Sequence, residues 1–299
     1  MPQPPLSQME RRRLINQGMN AAIDKRLEAN IGLSRPLCIY ELCAREGIRV
    51  RFLKVSMEGI YQRGSPPRIH LSSLRPGPRQ VFSCGHELGH HVFGHGSTLD
   101  PLNDDGRSDE DRDKPEEVLV NAFSAFLLMP TLGVREALAI RGLSAHSAQP
   151  LDLYRVSSSL CVGYATLVNH LAYGLDMMSA TRARELSKAN PKSIRTSLSP
   201  YFANCPLLIA DSQWRAPHLD LEVDSHVLLP AGVQVDEKFL APCDIAIGEE
   251  LAFRALRPGT STAATKNGTW VTTVRIAPKE FEGLAEYRHF EDSDDDKED

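Results

Sequence analysis

Hydrophobic spacing divides the chain into a helical first part and a strand-rich last part. From Leu6 to Asn30, Met9, Ile15, Met19, Ile23 and Leu27 recur among charged neighbours and predict an amphipathic helix that buries those side chains. A short helix follows from Pro36 to Glu46 and is closed by Gly47. Ile48 to Leu53 alternates apolar and charged positions, as a strand does. Glu58 to Arg63 and Arg68 to Ser72 read as a hairpin around Gly64-Ser65-Pro66-Pro67. Pro78 opens and Gly94 ends an apolar helix carrying Val81, Phe82, Leu88, Val92 and Phe93. A second, almost wholly apolar helix starts at Glu116 and stops before Pro130. Residues 131–200 continue as helices. Val156 to Leu160, Cys161-Val162-Gly163 and Tyr164 to Gly174 have the rhythm of a helix-turn-helix. Asn190 to Pro200 reads as a linker. Beyond it, Pro206 to Ala210, Ser225 to Leu229, Ile245 to Phe253 and Trp270 to Ile276 predict strands.

The chemistry lies in the two apolar helices. His86-Glu87-Leu88-Gly89-His90 is an H-E-x-x-H motif. Positions i and i+4 share a helix face, so His86 and His90 can grip one metal ion, with Glu87 close enough to act as general base on a water there. A catalytic zinc takes three protein ligands. The third histidine of the extended metzincin motif would fall at position 96, which is Gly96, and position 93 is Phe93 rather than glycine. The better third ligand is Glu117, a carboxylate on an otherwise apolar helix that needs a partner. Asn121 shares its face and is a candidate to orient a ligand. His91 and His95 read as satisfied or supporting residues, and Cys84 as unable to reach the metal. Tyr61, His91 and Tyr154 are the open alternatives for stabilising an oxyanion. The strand Arg68-Ile69-His70-Leu71-Ser72 just precedes the metal helix and is expected to be the sheet edge that pairs with an extended substrate.

HELGHHVFGH followed by EEVLVNAFSAFLLMP resembles the ImmA/IrrE family of metallopeptidases, with Val120 where the family has alanine. The resemblance implies an α+β protein in several parts. These are a zincin-like metallopeptidase domain at 1–130, a helix-turn-helix-like helical domain at 131–200 and a GAF-like α/β sensor domain at 201–289. It implies Zn2+ or another divalent cation such as Mn2+, and a protein substrate: a helix-turn-helix repressor whose cleavage releases DNA-repair genes after radiation or desiccation. A GAF-like domain implies an unidentified small-molecule signal, for which His218, His226 and Trp214 are candidate pocket residues. The reading from another class is a non-proteolytic, DNA-binding activator with a structural metal. Glu87 argues against it, because a structural site needs no general base.

Composition narrows the picture. The chain has 299 residues, 41% apolar and 24% charged, as globular proteins do. Its net charge of −5 is no general nucleic-acid signature. Residues 131–200 carry eight basic and four acidic residues, yet the would-be recognition helix YATLVNHLAYG holds no Lys or Arg. Strong direct DNA binding is therefore not expected. Residues 97–116 hold eight acids against three bases and could steer a basic partner. The six cysteines form no C-x-x-C pair. No signal peptide and no membrane span are evident, so a cytoplasmic location is expected. The acidic tail at 290–299 is expected to be disordered.

Overall fold

The computed structural model describes residues 6–98 and 114–290. The Pro-rich start, most of the acidic stretch at 97–116 and nearly all of the tail lie outside the described residues. The first part runs α1 (Gln8–Glu28), α2 (Ile39–Arg45), β1 (Arg49–Leu53), β2 (Gly59–Gln62), β3 (Arg68–Ser72), α3 (Gly77–Val92) and α4 (Pro115–Leu128). Helices α5 (Thr131–Ala139), α6 (Pro150–Ser159), α7 (Tyr164–Asn169), α8 (Ala180–Leu186) and α9 (Pro191–Leu198) follow. A π-helical turn, His170–Gly174, extends α7.

Helix α1 starts on a capping box, in which Ser7 and Glu10 each accept from the other's backbone N–H. Its buried stripe matches the expected one in part: Ile15 and Met19 pack against the core. Met9 is 82% and Leu27 57% exposed, whereas Gly18, Ala22 and Arg26 are buried. The cause is the close approach of α4. A Cβ at Gly18 would stand 2.7 Å from the Leu119 carbonyl oxygen and 2.8 Å from the Phe123 nitrogen. Where backbones touch, only small residues fit, and the large side chains move to the flanks. Arg26 is fully buried and donates to the carbonyls of Leu127, Gly32 and Arg35. Three carbonyl acceptors make that burial tolerable and fasten the end of α4.

The first sheet has the order β12-β1-β3-β2, where β12 is Gly283–Leu284. β1 and β3 are parallel, β2 and β3 antiparallel. The strand expected at the edge, Arg68 to Ser72, is therefore internal. Arg68, Ile69, His70, Leu71 and Ser72 all pair with β1 on one side, and Arg68 to Leu71 pair with β2 on the other. Ile69 and Leu71 are fully buried, so β3 is the centre of a small sheet, and its backbone cannot take a substrate strand. The open edge on that side belongs to β2.

The last part holds two more four-stranded sheets. One is β4 (Leu207–Ile209), β6 (His226–Pro230), β9 (Glu250–Ala255) and β8 (Leu240–Ile247). The other is β5 (His218–Glu222), β11 (Val271–Ala277), β10 (Gly259–Thr265) and β7 (Val233–Gln234). An α/β arrangement was expected here. Among the described residues from 203 to 290 there is no α-helix, only strands and one 3-10 turn. The expected helical layer is supplied instead from earlier in the chain. β6 alternates between two cores, Leu228 facing the helices and Val227 and Leu229 facing the other sheet. Leu207, Ile209 and Ala252 also join the large core around α1–α9, while Leu219, Phe253, Ala263, Val274 and Ile276 form the core between the two sheets. Packing thus crosses the expected boundary at residue 200. Ion pairs cross it too: Arg141 with Asp211, Arg155 with Glu250, and Arg275 and His218 with Glu41.

Candidate metal centre

Glycines set the site. Gly85 and Gly89 lie one turn apart on α3 and face α4, where an added Cβ would meet Ser124 Oγ at 2.5 Å and Val120 Cβ at 3.0 Å. Ser124 Oγ donates to the Phe82 carbonyl at 2.9 Å, so the one hydroxyl in this contact is satisfied. The close contact of α3 and α4 brings the acid at the start of α4 over the histidine face of α3. Two arginines tether the other side. Arg75 and Arg79 both bind the buried Glu58 carboxylate, which ties the entry of β2 to the start of α3.

His86 Nε2 and His90 Nε2 stand 3.1 Å apart. Glu117 places Oε2 at 3.5 Å from the first and Oε1 at 3.6 Å from the second. One ligand atom from each of the three residues falls within 4.8 Å of the others. Both histidines are 3% exposed. The far side of each ring is held. His86 Nδ1 meets Asn121 Oδ1 at 3.0 Å, and since an amide oxygen only accepts, Nδ1 carries the proton. Nε2 then carries the lone pair, 3.5 Å from Glu117 Oε2. His90 Nδ1 meets His95 Nδ1 at 2.9 Å. For His90 to present a lone pair at Nε2 it donates at Nδ1, and His95 accepts. Two imidazole nitrogens and a carboxylate, with both imidazoles fixed from behind, fit a divalent cation such as zinc.

Glu87 is fully buried beside this cluster. Its Oε2 accepts from the Thr98 hydroxyl at 3.0 Å. Gly59 of β2 lies so close that an added Cβ would come within 2.8 Å of Glu87 Oε1, so the acid and the open strand are in direct contact.

Of the three residues open for stabilising an oxyanion, Tyr154 is committed elsewhere: its buried hydroxyl donates to the Leu207 carbonyl. Tyr61 OH and His91 Nδ1 are hydrogen bonded at 2.9 Å, and burial lowers the His91 pKa from its ordinary value. Cys84 lies against Cys43, with the sulfurs 3.8 Å apart, away from the ligand cluster. The candidate pocket residues of the last part do not come together as one set. His218 pairs with Glu41 at 2.8 Å, His226 Nε2 meets Tyr201 OH at 3.1 Å, and Trp214 lies in the core between the sheets. Thr98 and Gly59 were missed by sequence reasoning. Their roles come from chain segments that meet only in the fold, and neither residue type signals chemistry by itself.

The proposed recognition helix is mostly buried. Tyr164, Leu167, Val168, His170, Leu171 and Ala172 all face the core. Its exposed positions, Ala165, Asn169 and Tyr173, carry no positive charge.

Two histidines one turn apart, an acid between them and a carboxylate from the next helix define a metallopeptidase-type site. Residues 43–160 match the family model of the IrrE N-terminal-like domain, Peptidase M78, from within α2 to just past α6. The match contains every residue of the centre and runs beyond residue 130 into the helices that follow. Among curated proteins, none matches the chain. No single helix among the described residues is long and apolar enough to cross a membrane.

Proposed function

We propose that this chain is a site-specific metalloendopeptidase acting on a regulatory protein. The observation that carries the reading is the convergence of His86 Nε2, His90 Nε2 and the Glu117 carboxylate beside the buried Glu87. His86, His90 and Glu117 hold the cation, zinc or manganese. When bound, such an ion supplies Lewis acidity, which acidifies a water and polarises a carbonyl. Glu87 takes the proton of the attacking water and returns it to the leaving amine. Asn121 and His95 keep the two imidazoles oriented. The 0% exposure of Glu87 keeps bulk water from competing for that proton.

The substrate pairs as an extended strand with β2, the open edge that touches Glu87. An extended segment must come from a loop or a locally opened region of the target. The ImmA/IrrE resemblance, and within it the likeness to IrrE, the radiation-response regulator, suggests a helix-turn-helix repressor as the target and DNA-repair genes as its output. Incubating the metal-loaded protein with the host's helix-turn-helix repressors, beside unfolded casein, tests this on a gel. One or a few fragments from a single repressor are expected. Broad digestion of casein with every repressor intact would make this a general protease.

A further inference from the structure

The open edge of β2 is covered by the chain itself. In an antiparallel pair, successive residues face alternately the partner strand and the outside. Tyr61 and Arg63 stand two positions apart and so face the same way, and both are bound by a segment that is not β3. The Tyr61 carbonyl accepts from Thr98 N–H at 2.9 Å, and Arg63 N–H donates to Ser97 Oγ at 3.1 Å. The same Thr98 donates its hydroxyl to Glu87 Oε2 at 3.0 Å. One dipeptide therefore holds both groups that an extended substrate must reach, the strand edge and the catalytic acid.

The route of the chain makes this possible. Helix α3 ends in a reversal at Gly94, whose φ of +70° suits glycine, and His95 N–H donates to the His90 carbonyl at 3.0 Å. The four residues after Gly94 then run from the metal-binding end of α3 to the outer side of β2. Ser97 is exposed and Thr98 half-buried. Ser97 and Thr98 are tied to β2 and Glu87 by hydrogen bonds. A competing strand can replace these one for one.

We propose that Ser97–Thr98 is a built-in occupant of the substrate-strand position, so that a peptide gains the β2 edge and Glu87 only by displacing it. This rests on the metallopeptidase reading for its catalytic half and on topology alone for its binding half. It gives the site a threshold: weakly pairing or transient strands fail to displace the segment, and a partner with further contacts succeeds.

The test uses the full chain with Ser97→Ala and Thr98→Gly together, and Thr98→Val alone, each checked for an unchanged melting temperature. Binding of fluorescein-labelled casein is read by anisotropy in a Glu87→Gln background, where nothing is cut. Turnover is read in the Glu87 background with metal bound. The double variant should bind casein about tenfold more tightly and cut it with a lower KM. Thr98→Val, which removes only the hydroxyl bond to Glu87 and keeps the Ser97 tie to Arg63, should gain less. Unchanged or weaker binding overturns the proposal. So does a fall in kcat at constant KM, because Thr98 would then be orienting Glu87 for catalysis rather than covering it. If no variant cuts anything while casein binding still tightens, the covering segment stands and the peptidase reading fails.

Discussion

Two buried histidine-bearing helices of this protein look alike in sequence and differ in kind. On α3, His86 and His90 are buried with their Nε2 atoms 3.1 Å apart and a carboxylate facing both. On the turn that extends α7, His170 is equally buried, but it stands alone. Its Nε2–H donates to the Met129 carbonyl at 2.9 Å and its ring packs on Phe126 and Gly174. Burial holds the His170 pKa down, to about 4, against a weaker opposing effect of the Met129 hydrogen bond. A buried histidine is thus no sign of a site by itself. What separates the two is whether the lone pairs converge on a shared point or end on a backbone group.

Three experiments press on this difference. The largest effect belongs to Glu87→Gln. Removing the base should lower kcat by roughly 10²–10⁴-fold while metal content, measured by atomic absorption, stays at the wild-type level. Loss of metal along with activity would show that Glu87 is part of the ligand set. Next is the acid response of His170. Its folded pKa is depressed from 6.5 to about 4, so the stability it contributes is whole above pH 6.5 and is lost as pH falls through 4. Between pH 7 and pH 4 the wild type should lose about 3 kcal/mol more unfolding free energy than His170→Gln. Parallel denaturation curves for the two proteins across that range would contradict the assignment. The smallest effect belongs to Asn121→Ala. Freeing the His86 ring from behind should weaken zinc binding by about 10–100-fold, read by competition with a chromogenic chelator, without changing the fold by circular dichroism.

The ligand helix was legible because its information is local. His86, Glu87 and His90 lie within five residues, and helical geometry alone puts the ligands on one face. Glu117 was legible for a different reason: a carboxylate at the head of an apolar helix needs a partner. What could not be read was pairing across distance. Arg68 to Ser72 has the alternation of a half-exposed strand, and nothing in those five residues says that β1 and β2 will flank it. In α1 the apolar spacing located only part of the buried side: Ile15 and Met19 pack against the core while Met9 and Leu27 are exposed, because Gly18 decides where α4 comes close. In the last part, Ile245 to Phe253 was read as one strand. It contains the turn between β8 and β9, and β5 and β10 gave no signal strong enough to be seen. The helical layer over those sheets is borrowed from residues before 200, so a search within the segment could not find it.

The two-residue strand β12 bears on how the molecule comes into being. Gly283 pairs with Phe52 and Leu284 with Arg51, on the flank of β1 that β3 leaves open. A ribosome releases Phe52 long before Gly283; at synthesis rates of about 5–20 residues per second the interval is roughly 10–50 s. During that time the H-E-x-x-H stretch has been made, but β1 lacks its partner on that flank. The sheet is therefore complete only once residue 284 has been made, and a product that stops short of residue 283 carries every residue of the candidate metal centre on an incomplete support.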